Sequence, residues 1–294
     1  MFSKLTVTKI ISAPSLTAFQ FRSTKALLRA SLFGFSKLSY RFLDGFTPNS
    51  ESTGGMKNNY SKSEKESVYA LRYFQASLFQ KILLTGGSAY MSLLHTTKRP
   101  DMMAVLGEVT GNKARKKMYE EMLNDDEGLQ ILRDQPRINT STTDFEALSR
   151  MPSGTLGKVY LDFLQSHKIS PDKRPIVQFI EDPELAYVMQ RFREIHDLIH
   201  VILNVPTNIL GEVVVKWVEG IQTGLPVCLL AAVCGPLQLS PKARKKYLNY
   251  YLPWAVQTGF EARFLMNVYF EKRWDQKLED LLKELNITPC EEPK

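Results

Sequence analysis

No aspartate or glutamate precedes Asp44, while Lys4, Lys9, Arg22, Lys25, Arg29, Lys37 and Arg41 supply seven bases among many Ser and Thr. A secretory signal is not supported, because Ser, Phe and Arg keep interrupting any apolar core. The composition is instead that of a mitochondrial transit peptide. Removing those seven from the 38 Lys+Arg leaves as many bases as the 31 Asp+Glu, so the net charge of +7 and the pI near 9.1 belong mostly to this leader. The rest of the chain has no bulk positive field to recruit nucleic acid.

Cysteine is scarce. Cys228, Cys234 and Cys290 are the three present, with no CxxC pair and no regular framework, which excludes a disulfide scaffold and suits reduced thiols in a matrix-like compartment. Long apolar runs are also missing. Residues Gly220 to Pro241 carry no charge, but Pro226, Gly235 and Pro236 divide them, and the strongly apolar part is Leu225 to Cys234. That is half of the roughly 20 residues a bilayer core requires, so a buried core helix is expected there. No strand-like alternation is sustained and no internal repeat occurs.

Apolar residues at helical spacing recur throughout. Val68, Leu71, Phe74, Leu78, Phe79, Ile82 and Leu83 follow the three-four rhythm up to Gly86-Gly87. Further helices are expected around 88–96, 101–107, 113–123, 126–133, 154–166, 183–203, 208–222, 225–234, 241–270 and 274–285, with proline breaking or bending several. Residues 44–65 are polar and Gly-containing and read as a linker. The organisation expected is a transit peptide over 1–43, a linker over 44–65 and one all-α domain over 66–294, large enough for a sizeable core.

The chain has four histidines. His95 and His167 stand alone and read as structural. His196 and His200 lie four apart, one above the other on a helix face, so their imidazoles can converge on one cation. The helix must stop soon after, because Pro206 pushes Val205 out of the α region and Asn204 tolerates the left-handed conformation of a helix end. Thr207 or Asn208 can cap a returning helix whose first turn holds Glu212. Two imidazoles and one or two carboxylates result. Asp197, about 100° around the helix from His196, could complete the set, hold an imidazole, or act on a proton. Zn²⁺, Fe²⁺, Mn²⁺ and Co²⁺ all suit such donors. The pattern differs from the zincin HExxH, since Asp is one methylene short of the Glu that activates water there. HD-type phosphohydrolases need further histidines that this chain lacks.

His196-Asp197-x-x-His200, eleven residues, then Glu212 resembles the motif of the ubiquinone (coenzyme Q) biosynthesis protein 4 family. The surrounding residues resemble it too: Glu184 to Val188 leading into Arg191-Phe192-Arg193-Glu194, Pro206 to Glu212, Val215-Lys216-Trp217 and Gln222 to Pro226. So do Asp126-Glu127-Gly128, Pro136-Arg137-Ile138, Pro253 to Gln257 and Arg273-Trp274, so that the resemblance spans roughly 68–288. Asn204 stands where these proteins commonly have Gly.

The resemblance implies zinc held by His196, Asp197, His200 and Glu212. It also implies C1 decarboxylation of a 4-hydroxy-3-methoxy-5-polyprenylbenzoate, within a complex of ubiquinone-biosynthesis enzymes. Asp197 and Glu212 are the groups expected to handle the proton. Arg191, Arg193 and Lys216 are expected candidates for holding the substrate anion. The polyprenyl tail calls for an apolar tunnel or cleft between helices. Peripheral attachment to the matrix face of the mitochondrial inner membrane follows from the family and its lipidic substrate. Self-association is left open. The contrasting expectation is a non-catalytic scaffold that carries the lipid and keeps a structural metal.

Overall fold

The computed structural model describes residues 100–290 together with Thr85. The expected leader 1–43, linker 44–65 and helical stretches at 68–83 and 88–96 lie outside the described residues. The described chain is helical: α1 (Pro100–Thr110), α2 (Asn112–Leu123), α3 (Asp126–Asp134), α4 (Phe145–Ser149), α5 (Leu156–His167), α6 (Pro183–Glu194), α7 (His196–Leu203), α8 (Ile209–Thr223), α9 (Pro226–Cys234), α10 (Pro241–Lys246), α11 (Leu252–Glu261) and α12 (Leu278–Glu284). Among the described residues no strand occurs; Thr155 and Lys277 make one antiparallel bridge.

Side-chain caps set several starts. Asp125 accepts from Gly128 N–H before α3, Asp182 from Glu184 and Leu185 N–H before α6, and Asn208 from Gly211 N–H before α8. Pro183, Pro226 and Pro241 occupy first helical positions, where their missing N–H costs nothing.

Every residue of α7 is buried, the polar His196, Asp197 and His200 along with the five apolar ones. It packs against α5, α6 and α8, and α8 rests in turn on α9 and α11. Tyr187, Val188, Ile195, Leu198, Ile202, Val214, Val215 and Val218 form the middle of the core. The polar residues of α7, namely His196, Asp197 and His200, therefore lie inside the protein and require partners.

Four expectations need correction. The helix expected over 183–203 is two, α6 and α7, with Ile195 between them at φ −80°, ψ −8°; nothing in the local sequence marks the break. The helix expected over 241–270 ends at Glu261. A widened turn precedes Pro253, whose ring crowds the carbonyl four residues back; there Leu252 N–H bonds the carbonyl of Tyr247, five back. Past Ala262 the backbone leaves the helix, and Arg263 N–H bonds Leu285 C=O at 2.9 Å.

Residues 274–277 are not helical, because the carbonyls of Trp274 and Gln276 accept the N–H groups of Gly157 and Leu156, orphan donors at the start of α5. The fourth correction concerns α9, which is buried on one side only: Val227, Cys228 and Ala232 face inward while Leu229 and Val233 are exposed. The short helix α4, capped by Asp144, was not anticipated. Cys228 and Cys234 are free thiols, Cys228 buried. No described helix is long and apolar enough to cross a membrane.

Candidate metal centre

The turn between α7 and α8 brings the donors together. Asn204 adopts the left-handed conformation (φ 51°, ψ 45°). With it, Asn204 N–H bonds Val201 C=O and Val205 N–H bonds His200 C=O, a Schellman end. This closure lays Val205 C=O against the His200 ring, which donates to it from Nδ1 at 3.2 Å. Six residues after Val205, Gly211 passes so close to Pro206 that an added Cβ would stand 1.8 Å from the Pro206 carbonyl oxygen. Only glycine fits, and it sets where the next residue, Glu212, points.

His196 Nε2 lies 3.5 Å from Glu212 Oε2, and His200 Nε2 lies 3.4 Å from Glu212 Oε1. One donor atom from each of the three side chains falls within 4.8 Å of the others. The two rings stand edge to face, 4.9 Å between centroids. His196 Nδ1 donates to Glu219 Oε1 at 2.7 Å. With both Nδ1 atoms committed to hydrogen bonds, both Nε2 atoms are left facing Glu212. His200 Nε2 is buried without a hydrogen-bond partner. Metal-binding histidines have this arrangement: the far nitrogen is tied to a carboxylate or carbonyl, and the near one presents its lone pair.

Glu219 and Lys216 complete the far side of His196. Lys216 Nζ donates to Glu219 Oε2 at 2.5 Å, and Cys228 Sγ approaches the same oxygen at 3.7 Å. Burial would raise the pKa of Glu219, but the charges of Lys216 and His196 and their hydrogen bonds bring it down to about 2. Burial and Lys216 disfavour a proton on His196, yet Glu219 and Glu212 outweigh them and its pKa rises. Burial likewise opposes ionisation of Glu212, and the two histidines overcome it, holding that carboxyl well below the usual range. The space among these three side chains therefore favours positive charge. That requirement, the orphaned Nε2 and the N₂O donor chemistry all suit a divalent cation.

The other site residues read from sequence fall differently. Asp197 is outside the group of three: its Oδ1 accepts from Arg174 Nη2, and its Oδ2 is buried without a hydrogen-bond partner. The i+1 position turns it toward α5 and away from the pair of imidazoles. Arg191 is 1% exposed and holds Glu271 through two hydrogen bonds and Val268 C=O through another. Arg193 is taken up by Glu108, Ala104 C=O and Pro175 C=O. Lys216 stands behind His196, on Glu219. The role of anion holder expected of these three is thus at odds with their surroundings, since protein acceptors already engage each of them. His167 bonds Phe163 C=O and Ser166 at the end of α5, as a structural histidine does.

Sequence reading missed Glu219, Arg174 and the Val205 carbonyl. Glu219 had a signal, lying seven residues after Glu212 and three after Lys216, on one face of α8. Arg174 had none, because only the fold carries it to Asp197.

The family model described as Coenzyme Q (ubiquinone) biosynthesis protein Coq4 matches residues 72–291. The chain belongs to this family. It is 55% identical over 215 residues to the mitochondrial ubiquinone biosynthesis protein COQ4 homolog of Bombyx mori, covering 73% of this chain and 83% of that protein. The corresponding Xenopus tropicalis protein is 50% identical over 233 residues, 79% of this chain and 82% of its own. That of Bos taurus is 49% identical over 216 residues, 74% and 81% respectively. The crystal structure of a candidate ubiquinone biosynthesis protein from Nostoc punctiforme shares the fold, with a TM-score of 0.53 at 17% identity over 77% of this chain and 98% of that one. Family membership places the chain in ubiquinone biosynthesis.

Proposed function

We propose that the chain decarboxylates, at C1, a 4-hydroxy-3-methoxy-5-polyprenylbenzoate, using a metal held by His196, His200 and Glu212. The observation that carries this reading is the three-membered donor set with an open side. Structural zinc is enclosed by four protein ligands, whereas catalytic zinc keeps three and an accessible position. Here Asp197 is turned to Arg174, and the Glu212 side chain is 42% exposed, so the cluster reaches solvent. That favours an enzyme over a scaffold with a structural metal.

A divalent cation, zinc first, would supply Lewis-acid charge toward the carboxylate or ring oxygen when bound. Glu219 and the Val205 carbonyl fix the tautomer and aim of the two imidazoles. The phenol para to the carboxylate pushes electrons into the ring, C1 takes a proton, and carbon dioxide leaves. In this reading Glu212 or Asp197 holds or passes that proton. A product bearing hydroxyl at C1 would require an oxidant from a partner, since zinc has no redox chemistry.

The setting we infer is a complex of ubiquinone-biosynthesis enzymes on the matrix face of the mitochondrial inner membrane, with the prenyl tail in an apolar cleft between helices. Peripheral attachment is supported by the surface around α9 and α10. Leu229, Val233 and Leu237 are exposed, and Arg244 donates to the Leu237 carbonyl. Lys242, Arg244, Lys245 and Lys246 follow on α10, and no acid occurs between Glu219 and Glu261. Apolar side chains beside bases suit an anionic lipid surface.

The test is release of carboxyl-labelled carbon dioxide from the prenylated hydroxybenzoate by protein of defined metal content, against a His196→Ala control. Metal-dependent release that the control loses is the expected result. No release, with or without oxygen, from protein that still binds the lipid would return the scaffold reading.

A further inference from the structure

Three cations on α6 and α8, Arg191, Arg193 and Lys216, are engaged by protein acceptors, the two arginines by several each, and a fourth, Arg174, by one. Arg174 follows a tight turn at Pro171–Lys173 that is pinned on both sides. Asp172 accepts from Thr140 N–H and Oγ at 2.9 and 2.6 Å, and Pro175 C=O accepts from Arg193 at 3.0 Å. From that fixed backbone the side chain reaches Asp197 Oδ1 with one Nη2 donor. A guanidinium carries five N–H donors. Among the described residues no other hydrogen bond engages those of Arg174, and the side chain is 30% exposed, so the remaining fork is available to a ligand.

The position is on the flank of the metal centre. Asp197 directly follows His196 and precedes His200 by one turn. Helix α5 covers this side in register: the Phe163 ring lies 6.0 Å from that of His200, and Tyr160, one turn earlier, feels the charges of both Asp197 and Arg174. Tyr160 is stacked on Trp274, and its hydroxyl is buried without a hydrogen-bond partner, as is Asp197 Oδ2. The Tyr160 hydroxyl, a donor without a partner on the side of the half-free Arg174, marks a place where an acceptor ligand supplies what the protein does not.

Charge identifies the ligand. Glu219 and Lys216 neutralise each other, as do Asp197 and Arg174. A divalent cation with Glu212 leaves one positive charge. A monoanion closes the balance, and the planar fork of Arg174 matches a carboxylate better than a point charge would.

We propose that Arg174 binds the carboxylate of the aromatic acid at this centre, with Asp197 as the residue that positions it. The inference rests on the decarboxylation reading for its substrate but is tested by binding. Calorimetric titration of the zinc-loaded protein with 4-hydroxy-3-methoxybenzoate, a prenyl-free probe, should show affinity weakened about 10-fold or more in Arg174→Ala, with zinc stoichiometry unchanged. One such bidentate contact is worth at least that factor. Arg174→Lys, keeping charge without the fork, should fall between, as should Asp197→Asn. The same phenol lacking the carboxylate should bind wild type and Arg174→Ala equally.

Equal affinity of wild type and Arg174→Ala for the acid would overturn the proposal. So would absence of binding to zinc-loaded wild type, or loss of zinc from Arg174→Ala and Arg174→Lys alike. The two readings separate cleanly. Acid binding that depends on Arg174 in a protein releasing no carbon dioxide keeps the anion site and rejects the reaction. Undiminished release from Arg174→Ala keeps the reaction and rejects the site.

Discussion

Two charge clusters in this molecule are built from equally distinctive residues, and they are finished differently. Around Glu127, both carboxylate oxygens are saturated. Oε1 accepts from Tyr269 N–H at 2.7 Å and Arg273 Nε at 2.9 Å; Oε2 lies 2.8 Å from Arg273 Nη2 and 2.9 Å from Arg263 Nη1. Arg273 continues to Glu284, and Arg263 to Asp125. This cluster ties α3 to the turns between α11 and α12. At the centre on α7 and α8, by contrast, His200 Nε2 and Asp197 Oδ2 are buried with no hydrogen-bond partner, at a cost of about 1–3 kcal/mol each. Distinctive sequence does not separate a clamp from a site. What differs between these two is whether the charged and imidazole groups themselves have partners: the Glu127 carboxylate does on both oxygens, and His200 Nε2 and Asp197 Oδ2 do not.

Substitutions can break that contrast or sharpen it. The largest effect is expected from Gly211→Ala. A Cβ placed 1.8 Å from Pro206 oxygen forces the α7–α8 turn apart and should cost about 3–5 kcal/mol by denaturant titration, with loss of metal. His200→Ala should reduce bound metal to background while α-helical circular dichroism is retained; a metal content near that of wild type would remove His200 from the centre.

Glu219→Gln comes next. It keeps the shape but removes the charge behind His196, and metal affinity measured against a chromophoric chelator should drop about 10–100-fold. The Glu127 cluster should respond in the opposite sense. Arg273→Ala is expected to lose about 1–3 kcal/mol of stability without changing metal affinity. A loss of metal there would erase the distinction between the two clusters.

Acid sharpens the same test. Burial would raise the pKa of Glu127, but the Arg273 hydrogen bond, the Tyr269 N–H and the charges of Arg273 and Arg263 take it below the ordinary 4.5. The unfolded chain therefore binds the proton first, and this contribution to stability is full above the ordinary value and lost as pH falls through the folded one. Wild-type and Arg273→Ala stabilities should converge as pH drops below about 4.5. The smallest effect is at the turn: Asn204→Gly should change stability by a few tenths of a kcal/mol, and Asn204→Ala should cost about 1 kcal/mol, because φ is positive there.

The ligand face was legible because helical periodicity is local. His196 and His200 at four residues, the stop before Pro206, the Asn208 cap and Glu212 in the following first turn all follow from the backbone rules of a few consecutive residues, and the structure brings those three side chains together. Asp197 was not legible to the same degree. Position i+1 fixes its direction around α7 but not what waits there, and what waits is Arg174, twenty-three residues earlier. Arg191 and Arg193 share that limitation. Their acceptors, Glu271 and Glu108, are about eighty residues away along the chain, and one lies on either side of them.

By itself, then, the sequence determined an all-helical domain, the family, and a histidine pair with its returning carboxylate, since each depends on spacing within a turn or two of helix. Only the tertiary structure decided which charges are consumed and which are left open. A buried charge is settled by whichever group the fold carries to within hydrogen-bonding distance, and that distance is not encoded in any local window of the chain.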